Sequence, residues 1–397
     1  MKNACKWLCL AMVLCIAYPA MSQKKEIIGY YPSWKWRSRD NLVNPGRIPY
    51  DKLTIINYAF FYPLPDGRLV GRDTVGDGLI LRGERDLEKG GYKPGTALTE
   101  LAHRHGVKVL LSLGGWEDSN NFPEVAASES KRAQFAHSCL EQIRIYGFDG
   151  IDIDWEYPGY ADHKGKPEDK QNFTQLLQIV RDSLIAYGGQ TGREYLLTAA
   201  LPAVASGLTN YEMDKVAGLL DQLNVMTYDF NGPWDAQSGH NSPLYPPGGD
   251  DSLRNIDAAL KLYTVTYGIP AAKVNLGVPF YGHTYTQCTS LHASHKGSDT
   301  LHFSAQGCFY YDIVQQRDTF VRFWDDRAKV PYLVSASWNM LVSYDDEESV
   351  GHKAQYVLDK NACGLIIWEI TGDYLPTGKT PLLDVIYSKF SSVKSNR

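Results

Sequence analysis

The sequence predicts an α/β protein, a (β/α)8 TIM barrel carrying a small α+β insertion between its seventh and eighth strands. Eight short runs of β-branched and large apolar residues recur along the chain, as strands buried on both faces should. Helical periodicities separate several of them, at 128–146, 171–187, 252–267 and 349–360. No Gly-x-Gly-x-x-Gly follows a strand, which removes an open dinucleotide-binding sheet as the alternative. Strand and helix in alternation, eight times over, close most economically as a barrel.

Taken in order, the predicted strands are 26–31 (EIIGYY), 53–60 (LTIINYAF), 107–113 (VKVLLSL), 151–154 (IDID), 195–200 (YLLTAA), 223–227 (LNVMT), 274–278 (VNLGV) and 364–368 (GLIIW). Their spacing is even except at two places. Residues 61–96, rich in Gly, Pro and Asp, form a long excursion after strand two. Residues 282–350 place a span of about 70 residues between strands seven and eight, far more than a barrel crossover needs. Short aromatic or β-branched runs at 309–313, 321–324 and 331–334 make that span a folded insertion. It is expected on the carboxyl-end face, where it walls a cleft. The barrel then comprises 23–281 and 351–397, ending in a helix near 382–390.

Residues 1–22 are set apart from this fold. Lys2 and Lys6 precede an apolar stretch from Trp7 to Ala17, and Ala20-Met21-Ser22 forms a small-x-small cleavage site. That is a secretory signal peptide, too short to span a membrane. Cys15 raises a lipid anchor, but the preceding Met12-Val13-Leu14 lacks the small residues such processing needs. A secreted, extracellular protein is expected, or a periplasmic one from a Gram-negative source, with no stable membrane association. The full chain of 397 residues has a net charge of −5. Removing the signal leaves 38 basic and 45 acidic residues, a charge of −7, which gives no support to nucleic-acid binding. Four cysteines remain, at 139, 288, 308 and 363. Cys288 and Cys308 share a polar, loop-rich region and are the expected disulfide, with Cys139 and Cys363 as buried thiols. Neither Cys-x-x-Cys nor His-Glu-x-x-His occurs, so neither metal nor cofactor is expected.

The strongest chemical signal is Asp149-Gly-Ile-Asp-Ile-Asp-Trp-Glu156. Alternation in a strand puts Asp152, Asp154 and Glu156 on one face and Ile151, Ile153 and Trp155 on the other. Three carboxylates stacked along one buried side repel, so at least one stays protonated near neutral pH. A solvated acidic edge would not alternate with isoleucine, and strand geometry does not suit a loop-type calcium site. Paired acids at a barrel mouth suit glycoside hydrolysis: one protonates the leaving oxygen, another stabilises an oxocarbenium-like centre. Glu156, at the strand exit, is the candidate general acid. Asp154 lies too close to it to be the opposing base of an inverting pair, and could instead serve a nucleophile belonging to the substrate. Asp149 supports the far end of the strand.

The octapeptide resembles the catalytic signature of glycoside hydrolase family 18, the chitinase family. Ser112-Leu113-Gly114-Gly115 is similar to the family's strand-three signature, Met226-Thr227-Tyr228-Asp229 to its strand-six motif, and Trp368 falls where the family ends strand eight. The insertion, with Val342-Ser343-Tyr344-Asp345-Asp346, resembles the extra domain of members with deep clefts. The resemblance implies substrate-assisted retention of configuration. Glu156 would protonate the glycosidic oxygen, and the substrate's own 2-acetamido oxygen would attack the anomeric carbon. Asp154 would orient the acetamido N–H, Asp152 would share a proton with Asp154, and Tyr228 would hold the acetamido oxygen. Asp229 would contact the same sugar, and Tyr30 and Ser112 would be hydroxyls beneath Asp152.

Nine Trp and 26 Tyr beside only 13 Phe suit a surface that grips flat, polar rings. Trp368 is the expected floor beneath the cleaved sugar. Trp116, Trp34 and Trp234 follow strands three, one and six and are candidate subsite walls, with Tyr281 and Trp324 weaker. Trp155 and Trp338 are read as packing. The implied partners are chitin and N-acetylglucosamine oligosaccharides, bound by a monomer. The alternatives are an endo-β-N-acetylglucosaminidase acting on N-glycans and a non-catalytic chitin-binding lectin. Lectins of this barrel usually lose the glutamate, which is present here as Glu156.

Overall fold

The computed structural model describes residues 24–248, 252–303 and 308–392, so the predicted signal at 1–22 lies outside the described residues. In chain order the strands begin with β1 (Glu26–Pro32), β2 (Ile55–Pro63), β3 (Leu69–Gly71), β4 (Lys108–Gly114), β5 (Gly150–Asp154), β6 (Leu196–Pro202) and β7 (Gln222–Met226). They continue with β8 (Val274–Pro279), β9 (Tyr281–Thr286), β10 (Cys308–Phe309), β11 (Val321–Asp325), β12 (Val330–Ser335), β13 (Met340–Ser343) and β14 (Gly364–Trp368). The helices are α1 (Thr74–Arg82), α2 (Leu98–Arg104), α3 (Phe122–Ala126), α4 (Glu129–Tyr146), α5 (Asp169–Thr191), α6 (Met213–Leu219), α7 (Ile256–Lys261), α8 (Tyr310–Gln315), α9 (Glu347–Asp359) and α10 (Pro381–Ser392).

The order β1-β14-β8-β7-β6-β5-β4-β2, with β2 pairing back onto β1, closes eight parallel strands into a barrel. All eight predicted strands are present, with ends moved by a few residues. The excursion after strand two folds back as β3, antiparallel to β2, before α1. Ile151 and Ile153 of β5 are fully buried, and Trp155 stacks on Phe122 at 5.2 Å and meets Phe173 edge-on at 5.9 Å. Alternation along β5 therefore places the apolar residues against the helix layer and the acids inside the barrel.

Between β8 and α9 a second sheet runs in the order β10-β9-β13-β12-β11, all antiparallel. Trp338 packs at the edge of the main apolar core, stacked on His302 at 3.9 Å and beside Phe303 and Phe320. The acidic pair at its exit is structural. Asp346 caps α9 by accepting the Glu348 and Ser349 N–H groups, and Asp345 forms a fully buried pair with Lys353 at 2.6 Å.

The expected disulfide is corrected. Cys139, Cys288, Cys308 and Cys363 are all free, buried thiols. Register explains the separation: Cys308 pairs with Gly282 at the start of β9, whereas Cys288 lies beyond its end at Thr286. Four residues of extended strand already span about 13 Å, roughly twice the Cα separation that a disulfide bridges. Titration of the unfolded chain without residues 1–22 is expected to count four thiols. A count of two before reduction would restore the pair.

Candidate active site

The site begins with register. Ser112 of β4 and Thr198 of β6 lie directly beside Asp152 of β5, so three inward side chains form one row. Asp152 is fully buried and surrounded by donors. Tyr30 Oη (2.9 Å) and Ser112 Oγ (2.8 Å) donate to its Oδ2; Thr198 Oγ1 (2.5 Å) and Asn224 Nδ2 (3.0 Å) donate to its Oδ1. Burial pushes the Asp152 carboxyl up, while these four bonds pull it back.

Asp154 differs. It is 4% exposed, and its Oδ1 has no hydrogen-bond partner among the described residues. Burial, then Glu156, then Asp152 push its carboxyl well above the usual range. Of the two aspartates, the one without donors is the better place for a shared proton.

Glu156 stands just past β5. Its N–H donates to Ser119 Oγ at 2.9 Å, and its carbonyl accepts from His163 Nδ1. Burial raises its carboxyl to about 7, opposed by the Tyr157 hydroxyl and the Trp116 N–H and assisted by the Asp229 carboxylate. That value suits an acid working near neutrality. An acid must hold its proton, so kcat/KM on a soluble oligomer is expected to be full below that pH. Above about pH 7 it should fall roughly tenfold per unit. A profile flat through about pH 9 would remove Glu156 from the acid role.

Two glycines at the carboxyl end of β4, Gly114 and Gly115, make room for this row. Gly114 has φ +115°, and a Cβ there would lie 2.2 Å from the Asp154 carbonyl oxygen. Gly115 N–H donates to that same oxygen at 2.7 Å. A side chain at Gly114 would push β4 away from the acids. Gly277 of β8 does the same for Tyr228, whose ring a Cβ would meet at 2.7 Å. Burial, Asp154 and Asp229 hold the Tyr228 hydroxyl well above its ordinary pKa, so it remains a neutral donor. Asp229 adopts a left-handed φ of +58° and accepts from Tyr281 Oη at 2.6 Å and His283 Nε2 at 2.7 Å.

The aromatic candidates fall into three groups. Trp368, at the end of β14, stacks on Phe60 at 5.7 Å and lies 5.5 Å from Tyr30. Trp34 adds to this floor at 6.1 Å from Phe60, beneath the Arg72 guanidinium. Trp116 is 48% exposed beside Tyr160 and His163, next to Glu156. Trp234 is 63% exposed against His283, which joins it to Tyr281, Asp229 and Tyr228. Trp324 packs instead on His352 and Arg322. Asp149 braces the opposite end of β5, accepting from the Val109 N–H and Arg193 and meeting His103.

Several neighbours escape sequence reasoning. Thr198 and Asn224 are single polar residues inside apolar strands, a signal readable only once inward positions are known. Phe60, Ser119, His163 and His283 carry no local mark.

A parallel barrel with an acid poised near neutrality, a buried carboxyl beside it and exposed indoles around the mouth defines a glycoside hydrolase. Residues 26–373 match the profile of Glycosyl hydrolases family 18. The chain is 35% identical to "Chitinase A1" of Niallia circulans over 96% of its own length and 64% of that protein's. Among solved structures it is similar to a chitinase from Bacillus thuringiensis, with TM-score 0.81 and 32% identity over 93% of this chain and 70% of that one. It is also similar to a family 18 N-acetylglucosaminidase from Paenibacillus barengoltzii, with TM-score 0.76 and 30% identity over 92% of this chain and 99% of that one. This chain belongs to glycosyl hydrolases family 18.

Proposed function

We propose that the protein is a secreted, retaining chitinase that cleaves β-1,4 linkages between N-acetylglucosamine units by substrate-assisted catalysis. One observation carries the reading. Asp154, buried and lacking a donor on Oδ1, stands two residues before a glutamate whose carboxyl is pushed up to about 7 by burial. A buried carboxyl oxygen without a donor is unfavourable, and a substrate amide N–H would satisfy it.

The steps follow from that placement. The Glu156 carboxyl gives its proton to the glycosidic oxygen as the bond to the anomeric carbon breaks. The acetamido carbonyl oxygen of the same sugar bonds to that carbon and closes an oxazolinium ring. Tyr228 donates to this oxygen, fixing its approach, and Asp154 accepts the acetamido N–H while its charge balances the cation. The Glu156 carboxylate then takes a proton from water, whose oxygen attacks the anomeric carbon and reopens the ring. Two displacements leave the product in the β configuration. The amino-terminal pattern at 1–22 supports export, and no helix among the described residues is long and apolar enough to cross a membrane.

A time course on the N-acetylglucosamine hexamer, with product anomers resolved, beside a high-mannose glycoprotein, tests this. Initial β-anomers of two or more sugars are expected from the hexamer. Release of single sugars from chain ends would favour an N-acetylglucosaminidase. Glycan release without hexamer cleavage would favour an endo-acting enzyme on N-glycans. Tight hexamer binding with no cleavage would favour a lectin.

A further inference from the structure

Tyr228 and Asp229 sit on an irregular stretch just past β7, with Asp229 in the left-handed region. A left-handed φ is unfavourable for a non-glycine residue, though less so for aspartate than for most, and contacts from the surroundings offset that cost. The loop residue Asn241 makes the contacts that do so. It is 1% exposed, and its Oδ1 accepts the Asp229 N–H at 2.7 Å. Its carbonyl accepts the Phe230 N–H at 3.0 Å, and its Nδ2 reaches the Tyr281 carbonyl at 3.4 Å. One residue therefore ties the exit of β7 to Tyr281, the residue whose hydroxyl meets Asp229.

Asn241 is anchored from the insertion. Its own N–H donates to Ser343 Oγ of β13 at 2.7 Å. The adjacent Ser242 donates to the Thr227 carbonyl at 2.7 Å and accepts from Lys353 Nζ at 2.8 Å. Lys353 is in turn fixed by its buried pair with Asp345. Residues 241–242 thus lie as a splint between the last strand of the insertion and the backbone of 227–230.

We propose that Asn241 is a positioning residue, acting through Asp229 and coupling the insertion to the catalytic cleft. It sets the Asp229 carboxylate where Tyr281, His283 and the field of Glu156 all meet it. The proposal rests on the reading of Glu156 as the acid and Asp229 as its sugar-binding neighbour.

The test compares Asn241→Ala, Asp229→Ala and the double variant by kcat, KM, pH profile and thermal midpoint, with the hexamer as substrate. Asn241→Ala is expected to lower kcat/KM by about 10- to 100-fold, the scale of a small misplacement at a reacting centre. In the Asp229→Ala background the same change should cost under about threefold, because two residues acting in series are not additive. Moving the Asp229 carboxylate away removes a charge that raises Glu156. The alkaline limb should therefore shift to lower pH in each single variant and no further in the double. Additive losses, or an unmoved limb, would overturn the proposal. If Asn241→Ala does not fold, Ser343→Ala releases the Asn241 N–H while leaving the carboxamide in place. It must then show the same dependence on Asp229, and independence overturns the proposal. Glu156→Gln separates the two levels. If that variant stays active, the proposed function fails; if it is inactive while Asn241 and Asp229 act independently, only this inference fails.

Discussion

Glu156→Gln is expected to lower kcat on the N-acetylglucosamine hexamer by about 10²- to 10⁴-fold, the range supplied by a positioned acid–base group. The amide keeps the size of the side chain, so the site should still form and the hexamer should still bind with little change in Kd. What is lost is the proton, which an amide cannot give to a glycosidic oxygen or accept from water. The loss should depend on the leaving group. A sugar alkoxide needs the proton, whereas a phenolate departs without it. An aryl glycoside of the same sugars should therefore lose less in its first step than the hexamer does. The alkaline limb near pH 7 should also disappear, because the group that titrates there is gone. Retention of most of the hexamer activity would overturn the assignment. An equal loss on both substrates would point to a disturbed site instead.

The acids themselves were legible because they are local. Asp152, Asp154 and Glu156 declare a shared face through alternation with Ile151, Ile153 and Trp155, and β5 forms as that pattern requires. Register is not local. The four donors to Asp152 come from β1, β4, β6 and β7, and nothing within any one strand says which inward residue stands beside which. Tyr30 and Ser112 were reached through family resemblance, while Thr198 and Asn224 were not reached at all. The same blindness produced the disulfide. Cys288 and Cys308 share a region of sequence, yet pairing along β9 holds them apart. The tryptophans fall between these cases. Position after a strand end found Trp34, Trp116, Trp234 and Trp368, but their partners Phe60, His163 and His283 required the folded mouth. The exit of the insertion shows the limit most plainly. The Ser343-Tyr344-Asp345-Asp346 run carried family likeness, but what its residues do needed the fold: Asp346 caps α9, Asp345 pairs with Lys353, and Ser343 accepts the Asn241 N–H.

Asp154→Asn separates the charge of this residue from its shape, and it is expected to lower kcat by about 10²- to 10³-fold, as removal of a preorganised electrostatic partner does. In the free protein burial, Glu156 and Asp152 all favour the protonated form of Asp154. Substrate changes that balance. An amide N–H donates to the bare Oδ1, and the developing oxazolinium places positive charge beside it. Both favour the anion, so the carboxylate is stabilised as the transition state forms. Asparagine can accept the same N–H but has no charge to set against the cation. A stable mimic of the ring, N-acetylglucosamine thiazoline, reads this term directly. Its affinity should fall about 10- to 100-fold in Asp154→Asn, the value of a hydrogen bond to a charged group, and remain nearly unchanged in Glu156→Gln. The pH profile gives a second readout. In the substrate complex, where Asp154 is ionised, its charge opposes ionisation of Glu156, so its removal lets Glu156 lose its proton more easily and the alkaline limb of kcat moves to lower pH. If the thiazoline bound equally to wild type and Asp154→Asn, the nucleophile would not be the substrate's acetamido group. Attack would then have to come from water or from a protein carboxylate, and Glu156 would be working within a different mechanism.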